Sequence, residues 1–294
     1  MKKKYTEMSA EKLYRLFIYV ALISLAISII IPVGWVFIAS IKQNVEFYGS
    51  PWTLPQGFYF QNFIDAFQKA NMGQYLLNSI MVTGLALALL LVFAIPAAYV
   101  LARYTFPGSK LMNTLFKAGL FINVNYIVVP IFLMLLKGDT WIRGVFGDGF
   151  LLNNLFVLAV VYTAMALPFT VYLLSSYFQT LPKTYEEAAF IDGAGYFKTM
   201  ITVMIPIARP SIITVILFNF LSFWNEYIIA LTLIPGANKT LPVGLMNLMA
   251  AQKSAANYGQ MYAGMVIVML PTLILYILVQ RKLTQGMNLG GLKG

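Results

Sequence analysis

The sequence predicts an all-α polytopic membrane protein with six transmembrane helices and both termini cytoplasmic. Three observations carry this expectation. First, 60% of the 294 residues are hydrophobic and only 10% are charged, giving a mean hydropathy of +0.77. A soluble globular chain carries about 25% charged residues, and the few present here could not solvate the surface of a fold this size. Disorder is excluded on the same ground, because disordered chain is polar and charged. Second, at about 20 apolar residues per helical span the length holds roughly five to eight spans, and six apolar runs are present. Third, the basic residues are unequally divided between the loops on the two sides.

The elements follow in order. The start, Met1 with Lys2, Lys3, Lys4, Lys12 and Arg15, is basic, and the first apolar run covers 16–41. That run exceeds the 7–15 apolar residues typical of a signal peptide, so it reads as an uncleaved first span. An outside segment, 42–74, then carries Pro51, Trp52 and Pro55, followed by Phe60, Phe63, Ile64 and Phe67. The i, i+3, i+4, i+7 spacing of those four suits an amphipathic helix, either lying on the membrane or packed against another span. The second run, 75–102, contains Pro96, which a membrane helix tolerates when neighbours re-satisfy the freed carbonyl. The third, 111–136, is interrupted by Lys117, Asn123, Asn125 and Pro130; the fourth, 151–178, contains Pro168. The fifth spans 211–234. A second outside segment, 235–260, has a short apolar stripe at Leu245, Leu248 and Met249. The sixth run, 261–279, ends at Gln280-Arg281-Lys282. The chain thus divides into a cytoplasmic N-terminus at 1–15, a six-span domain at 16–281 and a cytoplasmic tail at 282–294.

Orientation comes from the basic residues. Fourteen of the twenty fall on the side of the termini, among them Arg103, Lys110, Lys117, Lys183, Lys198 and Arg209, and six on the other, while the ten acids split evenly. By the positive-inside rule the termini are cytoplasmic. The net charge of +10 accordingly reads as basic cytoplasmic loops rather than as nucleic-acid binding.

Absences narrow the chemistry. There is no Cys and no His, so a disulfide framework, a thiolate metal site, a cysteine nucleophile and the usual proton relay are all missing. No G-x-x-x-x-G-K-[ST] pattern occurs, so the chain has no P-loop to cradle nucleotide phosphates. No clustered nucleophile, base or metal set points to an enzyme.

One cytoplasmic segment, 181–206, is more than a connector. Thr184 with Glu187 three residues on forms a capping-box pattern, which starts a short helix near Tyr185, and Gly193 and Gly195 stop it. Phe197, Met200, Ile201 and Met204 repeat the i, i+3, i+4, i+7 spacing, and Pro206 and Pro210 bound the entry to the fifth span. This is a helix, turn, helix unit bearing small Ala188 and Ala189 and charged Glu186, Glu187 and Asp192. Such a unit suits docking into a groove on a partner; the bland alternative is a solvated interfacial linker.

Glu187-Ala188-Ala189, then Asp192-Gly193-Ala194, then Ile205-Pro206 and Pro210, resemble the EAA loop of membrane permeases in binding-protein-dependent ABC importers. The chain more narrowly resembles the second permease subunit of the maltose-type carbohydrate-uptake branch. Ala98-Tyr99-Val100-Leu101-Ala102-Arg103, Trp224-Asn225-Glu226-Tyr227, 240–245 and the tail from Gln280-Arg281 through Gly286 to Lys293-Gly294 fit that pattern too. The resemblance implies that the EAA segment, between the fourth and fifth spans, is a coupling helix seated in a cytoplasmic ATPase. Glu186, Glu187, Ala188, Ala189, Asp192 and Gly193 would carry that contact, Gly195 would permit the bend, and Lys293 and Gly294 would touch the ATPase from the tail. The tail departs from the family in carrying the large residues Met287, Asn288 and Leu289. The resemblance further implies a homologous permease partner, two ATPase subunits that bind ATP and Mg, an extracytoplasmic solute-binding protein, a sugar substrate and a bacterial or archaeal cytoplasmic membrane. On this resemblance the chain itself would be a permease and not an enzyme, with no cofactor of its own.

An ionisable residue inside a span is a functional hypothesis by default. Glu226 lies 16 residues past Pro210, about 24 Å along a helix at 1.5 Å per residue, which places it near the external mouth. With Trp224, Asn225 and Tyr227 it offers aromatic faces and polar acceptors suited to a sugar, but it equally suits a gate or a bond to a neighbouring helix. Asn219, the Asn123, Asn125 and Tyr126 cluster, and Asn78 with Ser79 are further polar groups in spans, for which interhelical hydrogen bonding is the competing role. The rival function is an ion-coupled secondary transporter of a small polar solute. It calls for more intramembrane acids or His and for a repeat between halves, and only Glu226 qualifies.

Overall fold

The chain's architecture is described by a computed structural model covering residues 2–50, 52–255 and 257–291, with side-chain surroundings defined over 11–280 apart from 51, 125 and 252–256. Among the described residues every regular element is a helix. Five helices are long and apolar enough to cross a membrane: Glu11–Ser40, Met72–Arg103, Leu155–Thr180, Tyr196–Trp224 and Tyr258–Gln280. The chain divides into two compact units, one formed by Met1–Ala70 with Asn247–Met269, the other by Asn71–Met246 with Leu270–Gly294.

In the first unit, α1 (Lys2–Ser40) leads through a 3₁₀ turn, Asn44–Phe47, to α2 (Gln61–Gln68). The face α2 buries is not the apolar stripe read from its spacing. Asn62 and Ala66 point inward, while Phe60, Ile64 and Phe67 are exposed. The physical reason is local: α1 ends with carbonyls that no helix residue satisfies, and the Asn62 amide donates to those of Ser40 at 2.9 Å and Lys42 at 2.8 Å. The aromatic stripe is thereby left for a lipid or protein surface. Lys42 is fully buried; its ammonium donates to the Thr53 carbonyl at 2.8 Å and sits 5.0 Å from the Phe47 ring centre.

In the second unit, α3 (Met72–Arg103) packs along α6 (Leu155–Thr180). Val82, Ala86, Leu90, Ala94 and Ala98 recur every fourth residue and are all buried. Small residues on such a ridge let helix backbones approach closely, which is what drives association where lipid is as apolar as the side chains. Thr163 of α6 accordingly reaches the Ala86 carbonyl at 3.1 Å. Asn78 and Ser79 also find interhelical or loop partners: the Asn78 amide donates to the Lys239 carbonyl at 3.0 Å, and the Ser79 hydroxyl accepts from the Leu241 amide at 2.7 Å.

The third apolar run is not one helix. It divides into α4 (Ser109–Gly119) and α5 (Val124–Phe146). The polar face of α4, with Lys110, Asn113, Thr114 and Lys117, interrupts the apolar pattern, and the helix ends where Gly119 abuts Pro168 of α6, with room for no side chain. The fifth run is also displaced. Its helix starts at Tyr196, within the expected loop, as α8 (Tyr196–Thr199), continues through a π turn over Met200–Met204, and becomes α9 (Ile205–Trp224). The wider π turn disrupts the 3.6-residue spacing, so Met200 and Met204 are buried while Phe197 and Ile201 face outward. After Trp224 the chain breaks before α10 (Ile228–Leu233). In the following α11 (Leu241–Ala255), Leu248 is buried with Leu245 and Met249 half-buried, and α12 (Tyr258–Gly291) closes the described chain.

Candidate functional sites: an exposed loop helix and a polar-lipped cavity

The loop between α6 and α9 contains α7 (Thr184–Ile191). The expected Thr184–Glu187 capping box does not form. The helix begins one residue earlier than that box requires, with Lys183 at the cap accepting at its carbonyl from the Glu186 and Glu187 amides at 3.0 and 3.1 Å. Thr184 is then already helical, and its hydroxyl is not placed to cap. The other end follows the expectation at Gly193. Its φ of +77° lies in the left-handed region, its amide donates to the Phe190 carbonyl at 3.0 Å, and the Ala194 amide donates to that of Ala189 at 2.9 Å. That pair of bonds is the Schellman closure, for which glycine is favoured. Gly195 differs. Its φ of −76° with ψ of 170° is ordinary extended backbone and a Cβ there would meet open space, so the bend does not depend on its being glycine.

The helical period sorts the charged residues of α7. Glu187, Ala188, Ile191 and Asp192 face outward, Ile191 at 86% exposure. Glu186 and Ala189 turn inward and are buried. Glu186 lies 3.3 Å from the guanidinium of Arg103, the last residue of α3, with both side chains more than nine-tenths buried. Arg103 also donates to the Leu181 carbonyl at 2.8 Å. Lys293 and Gly294 lie outside the described residues.

The second place is a cavity of about 300 Å³ between α6, α9 and the α9–α10 break, lined among others by Tyr162, Phe169, Phe218, Asn219, Ser222, Phe223 and Glu226. Glu226 does not sit within one continuous helix, as the fifth run 211–234 suggested, but in the break between α9 and α10. Asn225 closes α9, its side-chain amide donating to the Leu221 carbonyl at 2.8 Å. The Glu226 carboxylate then accepts from the Ile229 and Ala230 amides at 2.7 and 3.1 Å, and from the Tyr162 hydroxyl at 2.6 Å. Two of these bonds satisfy amides of the first turn of α10, which has no internal acceptors for them; the third ties α10 to α6. Tyr162 stacks on Phe223 with ring centres 5.4 Å apart. Asn219, the other polar wall, donates to the Thr170 hydroxyl at 3.0 Å and the Val215 carbonyl at 2.8 Å.

Of the expected path residues the cavity gathers Asn219 and Glu226. Trp224 is buried and stacks on Phe220 at 5.5 Å instead, Asn225 and Tyr227 are exposed outside the lining, and Asn123 is exposed at the α4–α5 break. The side chain of Asn125 lies outside the described residues. Sequence reasoning missed Tyr162, Phe169 and Phe218 because aromatic residues inside an apolar run carry no positional signal of their own. It missed the contact of Arg103 with Glu186, because the 98–103 segment and the positive charge at a span's end say nothing of a partner 83 residues away.

Residues 92–288 match the model of the family described as "binding-protein-dependent transport system inner membrane component". Among curated relatives, the diacetylchitobiose uptake system permease protein NgcG of Streptomyces coelicolor is 35% identical over 96% of this chain and 90% of its own length. The trehalose/maltose transport system permease protein MalG of Thermococcus litoralis is 28% identical over 98% of this chain and all of its own. A solved bacterial ABC transporter that imports the acidic polysaccharide alginate contains a chain of the same fold, with a TM-score of 0.76 at 23% identity, covering 92% of this chain and 97% of that one.

Proposed function

We propose, from the premise that this chain belongs to the binding-protein-dependent transport system inner membrane component family, that it is one of two permease subunits of an ATP-driven importer of a sugar or oligosaccharide. The chain is a multi-pass membrane subunit of a transporter. Beyond that, the reading has six spans with both termini cytoplasmic, α5 serving as the third. Its partners are a homologous permease, two ATPase subunits that bind ATP and Mg, and an extracytoplasmic solute-binding protein. The observation that carries the coupling reading is α7, a short helix closed by Gly193 that turns Glu187, Ala188, Ile191 and Asp192 outward in a sequence without a P-loop of its own. Nucleotide closure of the ATPases would move α7 and the helices fixed to it.

A sugar or oligosaccharide substrate is supported by the relatives named for diacetylchitobiose and for trehalose and maltose. The cavity fits the same reading. Its volume is at the lower limit of small-molecule sites, room for about one sugar ring, with aromatic walls at Tyr162, Phe169 and Phe218 and hydrogen-bonding groups at Asn219 and Ser222. Glu226, already holding three donors, acts as the brace of that wall rather than as a direct ligand.

The test is Glu187→Lys in the assembled complex. The expected result is loss of sugar uptake with weakened retention of the ATPase subunits. Wild-type transport by a fully assembled variant complex would overturn the assignment.

A further inference from the structure

We infer that the Arg103–Glu186 pair is the strut that ties α7 to α3, so that Glu186 acts as a positioning residue for coupling and not as part of the surface offered to the ATPase. The inference rests on the coupling reading of α7 given above. Its ground is a division of labour between adjacent acids. Glu187 is exposed and free to meet a partner, whereas Glu186, one residue earlier, is buried against Arg103 with side-chain exposures of 9% and 5%.

The joint is built around that pair. Arg103 stands at the C-terminal end of α3, where its charge complements the helix dipole. It donates to the Leu181 carbonyl, the residue that closes α6, so a single guanidinium touches the ends of α3 and α6 and the first turn of α7. Aromatic rings lock the same corner. Tyr99 of α3 packs edge-on against Phe178 of α6 at 5.6 Å and against Tyr104 at 5.7 Å. Tyr104 packs on Tyr196 at 5.5 Å, and Tyr196 on Phe190 of α7 at 5.3 Å. The Tyr99 and Tyr104 hydroxyls are 3.2 Å apart.

Stability alone does not explain an ion pair here. Taking two charges out of water costs about as much as their attraction returns, and apolar residues of equal volume commonly stabilise as well or better; the best-attested use of such a pair is to specify one register. The Arg103 Nε and Glu186 Oε1 atoms face each other at 3.3 Å without the alignment of a hydrogen bond, so the contact is held by charge. Apolar packing would let α7 slide or rotate over the end of α3 under load. A buried pair does not, because any slip strands two charges. A push delivered at Glu187 and Ile191 is therefore passed to α3 instead of being absorbed in the loop.

The test uses the complete transporter, reconstituted in lipid, with Arg103→Glu, Glu186→Arg, the double swap and Arg103→Lys. Each single reversal is expected to retain the ATPase subunits, because the outward face of α7 is untouched, while sugar moved per ATP hydrolysed falls by about five- to tenfold, the low end of site-to-site coupling factors. The swap should recover most of that ratio, and Arg103→Lys, which keeps the charge, should lie between. A single reversal with the wild-type ratio, or a swap no better than the worse single, overturns the strut. Should the reversals fail to assemble, the wild-type structure still decides. The chain lacks cysteine, so spin labels at Tyr185→Cys and Val92→Cys, both exposed and neither among the α7 residues offered to the ATPase, report the α7–α3 distance. One narrow distribution, unchanged between nucleotide-free and ATP-bound states, is expected; a distance that changes with nucleotide overturns the proposal. If the unmodified complex fails to retain ATPase subunits, the coupling reading of α7 falls, and the width of that same distribution in wild type against Arg103→Glu still tests the strut.

Discussion

Replacing Glu226 by Ala removes one carboxylate and orphans three donors at once, and the structure sets the size of the effect. The Ile229 and Ala230 amides lose an N-terminal cap of α10, worth about 0.5–2 kcal/mol. The Tyr162 hydroxyl, on a residue only 2% exposed, is left without its 2.6 Å acceptor, a penalty of about 1–3 kcal/mol. The sum is a loss of about 1.5–5 kcal/mol. Glu226→Gln is intermediate, about 1–3 kcal/mol, because Oε1 serves the Ile229 amide and Oε2 serves both the Ala230 amide and the Tyr162 hydroxyl, so whichever way the new amide turns, one α10 amide faces its NH₂ and loses its acceptor. The decisive quantity is the coupling between Tyr162→Phe and Glu226→Ala in a double-mutant cycle. Hydrogen bonds to charged groups are worth about 1.5–3 kcal/mol, but measured interhelical bonds in membranes average about 0.6 and reach about 1.7 kcal/mol. The ranges meet near 1.5 kcal/mol, which is the expected coupling. Reversible unfolding of the purified chain in mixed detergent micelles measures all four corners. A coupling below about 0.5 kcal/mol, or an Ala variant as stable as wild type, refutes the argument that Glu226 braces the cavity wall.

Two glycine contrasts give further outcomes. Gly193→Ala forces a side chain into a left-handed conformation at φ +77°, at a cost of about 1–2 kcal/mol, so ATPase retention should weaken; Gly195→Ala, in extended backbone with open space around it, should transport as wild type. Gly119→Ala would place a Cβ 2.8 Å from Cγ of Pro168, a rigid ring that cannot swing aside, and should destabilise by about 1–3 kcal/mol in a thermal melt; Gly34→Ala, with nothing within 4 Å, should not destabilise.

How far each feature was legible follows from the distance over which its cause acts. The Schellman closure at Gly193 depends on residues within five positions and was readable. The capping box at Thr184 was equally local but failed, since the same residues can start the helix one position apart and packing decided between them. The α2 stripe was read with the right period, and whether it would lie on the membrane or against another span was left open. Periodicity shows which residues share a face, but here the open carbonyls of Ser40 and Lys42 drew Asn62 inward, and nothing in the pattern of α2 records them. The breaks in the third and fifth runs were hidden for a related reason. Hydropathy averages over a window, whereas a helix ends at single residues such as Gly119 and Asn225.

By itself the sequence determined the class of molecule. With so few charges and six apolar runs, burial in lipid is the only way to satisfy the chain, and that requirement is additive along it. It also determined the loop motif, whose residues are contiguous. Only the tertiary structure decided which of two adjacent acids faces outward and which is buried against Arg103, and that Glu226 lies in a cavity wall. Those outcomes rest on partners 64 residues apart for Tyr162 and Glu226, and 83 apart for Arg103 and Glu186. Such pairs are brought together by the packing of α3, α6 and α9, and no one-dimensional pattern encodes which side chains that packing makes neighbours.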